Sequence, residues 1–321
     1  MKHFLIILLI NIAYSITVIV LPSSQIYKID ESNLIQHYSE NISADTDSYY
    51  NLKKDGLRTI GYPFILRQFT KLNNWHIWIF MFNSFLGAWM FFVVKDMIGR
   101  KAWLLAALGA FTVYVPILYS DLLFAALFVT SIWMIKKRLW LHFVLLGVAS
   151  LVRPSLAWFF LIEPLIIYYN GYRKWIVYLS LPIVFIVTSF NPIRNYINIG
   201  KWTHSTVLKY NISSGDYYDG PLYFIEAFKA NCLSGHYDFI GSMFGKYKRN
   251  FGNKTKSNLL YYLNYVCVLI NLIIWFRFGI RFLQRKINMA NILVVAYFIG
   301  PSLFAAAGGR IRLPIEWILL L

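Results

Sequence analysis

Two aspartates followed closely by tyrosines form the first group of residues in this chain that could do chemistry. Asp45 and Asp47 precede Tyr49 and Tyr50 in the string ADTDSYY. A carboxylate placed beside a hydroxyl group can act as a general base. The simpler interpretation is that Asp47 caps a short helix over residues 48–54. Spacing alone leaves both interpretations open.

A second set of candidates consists of charged side chains that border long apolar runs. Ionisable groups near the hydrocarbon of a membrane are costly, and they mark functional sites by default. The members of this set are Asp121, Arg153, Arg194, Arg310 and Arg312. The arginines could bind a phosphate group next to a carboxylate, or each could anchor a helix end among lipid headgroups.

Composition indicates which elements must position these residues. The chain has 321 residues, of which 58% are hydrophobic and 14% are charged. Soluble domains have roughly 25% charged residues, so a water-soluble globular domain is excluded, and so is a disordered chain. Apolar runs near the length of about 20 residues that crosses a bilayer recur along the sequence. The predicted spans are 3–21, 75–94, 102–119, 122–135, 139–152, 154–169, 175–190, 259–277, 288–307 and an incomplete tenth from Pro314.

We therefore predict an all-α membrane fold, a polytopic helical bundle of about nine or ten transmembrane helices formed by residues 1–321 as a single domain. Basic residues in short loops face the cytoplasm in such proteins, which predicts a cytoplasmic N-terminus. This orientation places two long loops, 22–74 and 191–257, on the extracytoplasmic side, with short surface helices in them. One such helix is expected from Phe64 to Leu72, where apolar and basic residues alternate at helical spacing. The short loops carry Lys95, Arg100, Lys101, Lys136, Lys137, Arg138, Arg173, Lys174, Arg277, Arg281, Arg285 and Lys286.

The formal net charge of +17 follows mainly from this loop pattern. The basic residues are separated by helices and form no continuous face, so no nucleic-acid partner is predicted. Membrane lipids are the expected surroundings, and the cell (inner) membrane is the expected location.

Five short strings together resemble the integral-membrane glycosyltransferases of the C-type fold. Within that family the chain resembles the bacterial branch related to protein O-mannosyltransferases and the lipid A aminoarabinose transferase. The strings are Asp47 with Tyr50, then RTIGYP (58–63), VRPS (152–155), IRNYINIGKW (193–202) and RIRLPIEW (310–317). Ile60 stands where the family has proline, and Asp121 stands where the family often has glutamate.

The resemblance implies a sugar donor carried on a polyprenyl phosphate and an acceptor hydroxyl on a lipid, glycan or protein, used on the extracytoplasmic face. Asp47 would be the general base of this hexosyl- or pentosyl-transfer reaction. The expected substrate-binding residues are Asp45, Tyr50, Arg58, Tyr62, Asp121, Arg153, Arg194, Arg310 and Arg312.

No cofactor is certain from the sequence. Some members of the family use a divalent metal, and Asp45, Asp47 and Asp121 could supply oxygen ligands for one.

A polytopic transporter or flippase of lipids or solutes is the alternative interpretation. Transporters of this kind carry internal repeats with broken helices at the middle of the membrane. The sequence has no evident repeat, and its charged candidates cluster at the ends of the predicted spans. A non-catalytic relative of the glycosyltransferases is a third interpretation.

Overall fold

The computed structural model describes residues 1–20, 59–116, 120–156, 158–203, 232–233, 235–236, 257–302 and 312–321. Over these residues every regular element is helical. The predicted all-α class is therefore confirmed for the described part of the chain.

The described residues form twelve α-helices, joined in places by short 3-10 turns. The helices are α1 (Lys2–Val20), α2 (Gly61–Phe69), α3 (Trp75–Ile98), α4 (Ala102–Ala107), α5 (Ser120–Met134), α6 (Leu139–Val152), α7 (Glu163–Tyr169), α8 (Lys174–Thr188), α9 (Phe190–Ile199), α10 (Ser257–Leu283), α11 (Met289–Ser302) and α12 (Glu316–Leu319).

Three helical stretches are long and apolar enough to cross a membrane, which requires about 30 Å of apolar length. They are Ile77–Ala107, Lys174–Ile199 and Tyr265–Leu283. Apolar side chains on the last two are largely exposed, such as Tyr178 at 76% and Phe276 at 73%. Exposed apolar surface of this extent is typical of proteins that contact lipid.

The predicted third span, 102–119, is helical only over Ala102–Ala107. The helix ends in a Schellman motif, in which the Ala110 N–H donates to Leu105 and the Gly109 N–H donates to Ala106. Gly109 takes a positive φ of 86°, as this motif requires. The helix predicted from the length of this apolar run therefore ends before Gly109. The residues that follow, as far as Pro116, form turns.

The predicted surface helix, Phe64–Leu72, begins earlier in the structure and lies against the bundle. Helix α2 spans Gly61–Phe69 and buries Tyr62, Pro63 and Leu66. Pro63 is tolerated because it stands in the first turn, where no intrahelical N–H partner is lost. The helix packs on α6 and α3, while Phe64 stays exposed.

Helices α3 and α5 form the centre of the packing. Helix α1 packs on α3, α5 packs on α3 and α6, and α8 packs on α6 and α7. An aromatic cluster joins α5 to α11, because the ring centroids of Phe128 and Phe298 are 5.0 Å apart. Phe159 contacts Phe128 at 5.5 Å, so a 3-10 turn before α7 joins the same cluster.

Asparagine side chains tie the apolar helices together through backbone carbonyls. Asn11 on α1 donates to the carbonyl oxygens of Ser84 at 3.2 Å and Phe111 at 3.1 Å. Asn83 on α3 donates to Val115 at 3.0 Å. Such bonds fix how helices pack in an apolar environment, where carbonyls find no water.

The tight turn between α5 and α6 is tied to the end of α3. Lys137 Nζ lies 2.9 Å from Asp96 Oδ2 and 3.6 Å from the ring centroid of Trp133. Trp133 Nε1 donates to the same carboxylate oxygen at 2.7 Å. Asp96 therefore neutralises one lysine of the basic short loops.

Candidate functional site

The C-terminal end of α6 receives the segment that precedes α2. Thr59 is buried, and its Oγ1 donates to the carbonyl oxygen of Val152 at 2.6 Å. A Cβ on Gly61 would lie 2.8 Å from both the carbonyl carbon and the carbonyl oxygen of Leu151. Glycine is therefore required for this contact, which brings the string RTIGYP against the string VRPS.

An ion pair joins the same end of α6 to the start of α5. Arg153, the first residue after α6, donates through Nη1 to Oδ1 of Asp121. The Asp121 side chain is 3% exposed, whereas the Arg153 side chain is 25% exposed. Asp121 stands in the first turn of α5, where the helix dipole favours a negative charge. The guanidinium also lies over the Phe124 ring, 5.9 Å from its centroid.

Helix α9 contributes a third contact at this place. Asn191 is buried, and its Nδ2 donates to the carbonyl oxygen of Ser150 at 2.7 Å. Asn195 donates to the carbonyl oxygen of Thr203 at 2.7 Å and so orders the end of α9. Arg194 is half-buried, and its Nη1 lies 3.4 Å from Oδ1 of Asn195.

We call Thr59, Gly61, Asp121, Arg153 and Asn191 the Arg153 cluster, since all five meet at the end of α6. The cluster holds one partly exposed guanidinium whose orientation is set by a buried carboxylate. Chemically, a preorganised cation of this kind can bind an anion or stabilise negative charge that develops on one. Tyr62, another predicted site residue, is buried directly after Gly61.

Arg312 belongs to a separate buried group. Its Nε donates to Oε1 of Glu316 at 2.9 Å, and its Nη1 donates to the carbonyl oxygen of Cys232. The other carboxylate oxygen of Glu316 lies 2.8 Å from His236 Nε2. Tyr114 Oη lies 2.9 Å from His236 Nδ1. We call Tyr114, His236, Arg312 and Glu316 the Arg312 cluster.

Burial and charge set the protonation of two groups at the Arg312 cluster, which lies outside the three candidate spans. Burial raises the pKa of Glu316, but the charges of His236 and Arg312 and their hydrogen bonds outweigh it and hold this pKa at about 2. Burial raises the pKa of the Cys232 thiol to about 11, against a smaller opposing effect of Arg312. Glu316 is therefore a carboxylate and Cys232 an unreactive thiol.

The structure thus pairs Asp121 with Arg153 at the end of α6, and Tyr62 directly follows Gly61, which contacts the same end. Arg312 is bonded within its own cluster. The guanidinium of Arg312 is 1% exposed. Its predicted role in phosphate binding, and that of Arg194, stay predictions. The remaining predicted site residues, Asp45, Asp47, Tyr50, Arg58 and Arg310, lie outside the described residues.

Sequence reasoning missed the histidines. His142 pairs with Glu163, and His236 pairs with Glu316. A histidine or an acid inside or beside an apolar run needs a partner, so the sequence did indicate that these side chains are paired. It did not indicate which residues pair, because the partners are 21 and 80 residues apart.

The predicted metal site cannot be assembled from the described residues alone. Among them, no group of three or more His, Cys, Asp and Glu side chains is placed to hold a metal ion. Asp121 is engaged by Arg153, and Asp45 and Asp47 lie outside the described part of the chain. Metal dependence stays a prediction.

Comparisons with known proteins identify no relative of this chain. No protein-family model matches the chain, and no curated protein or solved structure matches it.

Proposed function

We propose that this chain is a membrane glycosyltransferase that moves a hexosyl or pentosyl unit from a polyprenyl-phosphate-linked donor to an acceptor hydroxyl. The observation that carries the proposal is the Arg153 cluster. Two of the strings that resemble the glycosyltransferases, RTIGYP (58–63) and VRPS (152–155), meet there beside Asp121 and one oriented guanidinium, although Thr59 and Val152 are 93 residues apart. If these residues only anchored separate helix ends among lipid headgroups, they would not be expected to lie close together.

The proposed reaction assigns a step to each group. Asp47 takes the proton of the acceptor hydroxyl as its oxygen attacks the anomeric carbon of the sugar. The bond from that carbon to the phosphate oxygen breaks, and its electron pair stays on the polyprenyl phosphate. Arg153 stabilises the negative charge that grows on this leaving group. Asp121 keeps Arg153 oriented before the donor binds, so no reorientation is needed during the reaction.

The proposed setting is the cell (inner) membrane, with several helices spanning it, the N-terminus in the cytoplasm and the reaction on the extracytoplasmic face. The three candidate spans and the exposed apolar side chains of α8 and α10 support membrane insertion. The basic residues of the α5–α6 turn support this orientation, because positively charged short loops stay inside. The donor would then approach within the bilayer, which suits a polyprenyl carrier.

The test is a transfer assay with the purified chain in lipid vesicles. Radiolabelled polyprenyl-phosphate hexoses and pentoses serve as donors, and a membrane extract supplies acceptors. Asp47→Asn should lower the transfer rate by about 10²–10⁴-fold, the usual contribution of a positioned base. Asp55→Asn removes a carboxylate from the same predicted loop and should keep the wild-type rate.

Two results would contradict the proposal. Equal rates for wild type and Asp47→Asn would remove the assigned base. Absence of transfer from every donor by folded protein, together with movement of a fluorescent lipid between leaflets, would favour the flippase interpretation instead.

A further inference from the structure

Three cations from two parts of the chain meet at one end of the helices. Lys101 ends the 3-10 turn between α3 and α4. Arg277 and Arg281 stand four residues apart on α10, so they share one face of that helix. Lys101 Nζ bonds to the residues that follow α12, and α12 packs on both α4 and α10, so these basic side chains stand on helices that are joined through α12. We call these three residues the Lys101 cluster.

The positive charge of this cluster is not balanced within the described part of the chain. None of the ion pairs found there involves Lys101, Arg277 or Arg281. Lys101 Nζ donates to the backbone oxygens of Leu320 at 2.6 Å and of Leu321 at 3.1 Å, which satisfies two of its three N–H groups. Lys137, by contrast, has Asp96 as its partner.

A donor in the cluster also lacks an acceptor. The Nε atom of Arg281 is buried, and it has no hydrogen-bond partner among the described residues. A buried donor without a partner costs about 1–3 kcal/mol, and more if the group is charged. Three neighbouring cations with an unused donor are the arrangement expected of a site that receives an anion with several oxygens, such as a phosphate.

The surroundings indicate which anion this is. Lys101 lies within the candidate span Ile77–Ala107, and both arginines lie in the last two turns of the candidate span Tyr265–Leu283. Next to them, Phe276 is 73% exposed and Leu283 is 80% exposed. The cluster therefore adjoins apolar surface that can pack against an acyl chain. Basic pockets between membrane helices are known to hold anionic lipid headgroups.

We propose that the Lys101 cluster binds the phosphate of an anionic phospholipid, with an acyl chain along the exposed apolar side chains of α10. The phosphate oxygens accept from the two guanidinium groups and lie near the Lys101 ammonium group. This site is independent of the proposed glycosyl transfer, and its test does not measure that activity.

The test measures lipid retained by the purified full chain in detergent. Phosphatidylglycerol and phosphatidylcholine with identical acyl chains are added separately, and bound lipid is counted by native mass spectrometry. The variant Arg277→Gln/Arg281→Gln removes two charges and keeps the Lys101 hydrogen bond. The matched control is Arg285→Gln/Lys286→Gln, which removes two charges from exposed positions just beyond α10.

Wild type should bind phosphatidylglycerol more tightly than phosphatidylcholine. The cluster variant should lose about tenfold in its affinity for phosphatidylglycerol, because each basic group near a membrane surface strengthens the binding of anionic lipid. The control should stay within about twofold of wild type, because Arg285 and Lys286 are not part of the Lys101 cluster. Should the double variant fail to fold, Arg277→Gln alone, at an exposed position, should still lose affinity relative to Arg285→Gln.

Three results would overturn the proposal. Equal losses in the cluster variant and the control would indicate unspecific attraction by surface charge. Equal retention of the two lipids by wild type would remove the anionic preference. Displacement of phosphatidylglycerol by an equal concentration of inorganic phosphate would show a site for soluble phosphate and not for lipid.

Discussion

Nε2 of His142 lies 2.6 Å from Oε1 of Glu163, and neither side chain is accessible to solvent. Nδ1 of the same ring lies 3.0 Å from the carbonyl oxygen of Ser131. Because a carbonyl only accepts, Nδ1 carries a proton, and one further proton between Nε2 and Oε1 satisfies both atoms. The pair connects α5, α6 and the start of α7. The second oxygen of Glu163 is buried and accepts no hydrogen bond from the part of the chain that the structure describes.

Removing one member of this pair should destabilise the fold more than removing both. His142→Leu leaves a buried carboxyl group without its partner and should cost about 3 kcal/mol. The double variant His142→Leu/Glu163→Leu should recover part of this loss, because two apolar side chains need no partner. Unfolding in mixed micelles of increasing SDS fraction measures both free energies. Additive losses in the double variant would contradict the coupling.

Loss of Arg153 should unfold the Arg153 cluster as well as abolish transfer. Arg153→Gln leaves the carboxylate of Asp121, which is 3% exposed, without a counter-charge, at a cost of about 3–5 kcal/mol. Arg173→Gln removes an exposed arginine and should change stability by less than about 0.5 kcal/mol. Thermal unfolding of the two purified variants checks this. A stable Arg153→Gln protein would show that Asp121 finds another partner.

Gly61 should tolerate no side chain. In Gly61→Ala the new Cβ would lie 2.8 Å from the Leu151 carbonyl group, so α2 must move away from α6 and the bond from Thr59 to Val152 should lengthen or break. Gly279→Ala is the matched control, since a Cβ there has no atom within 4 Å. We expect a lower unfolding temperature for the first variant alone. Equal temperatures would mean that α2 is not seated on α6 as described.

The Arg312 cluster should make stability depend on acid pH. The folded protein holds the pKa of Glu316 at about 2, below the ordinary 4.5 of a glutamate. A lowered folded pKa adds stability above the unfolded pKa, and this stability is lost as pH falls from about 4.5 towards 2. Glu316→Gln should therefore be less stable near neutral pH and flatter across that acid range. The same steepness in both proteins would remove Glu316 as the titrating group.

Local sequence properties were sufficient to predict several of the longer helices. The expected spans 75–94, 175–190 and 259–277 correspond to α3, α8 and α10, because continuous apolar runs leave the backbone no partner but itself. The run at 154–169 is instead broken into two 3-10 turns and α7. Prolines account for part of this difference. Arg153, the residue before Pro154, is extended, as proline favours. Pro164 stands in the first turn of α7, where the missing N–H costs no helical bond, so the helix starts there.

The local sequence pattern could not predict which residues contact each other within the bundle. Asp121 and Arg153 were both selected as functional candidates, but nothing in either neighbourhood encodes that they face each other. That contact depends on how α5 and α6 cross, which is set by the packing of many side chains. The contact between Gly61 and Leu151 is of the same kind. A glycine in the sequence indicates that the backbone can approach another segment closely, but it does not indicate which segment.

The α5–α6 hairpin has an ion pair at its open end and three cations at its turn, so its two ends differ in charge. Asp121 and Arg153 cancel each other's charge when paired, so carrying that end through hydrocarbon costs less than carrying either charge alone. The turn with Lys136, Lys137 and Arg138 has one acid, Asp96, to offset three charges. The turn therefore keeps two unbalanced positive charges among these residues, three cations less one acid, whereas the open end of the hairpin is neutral.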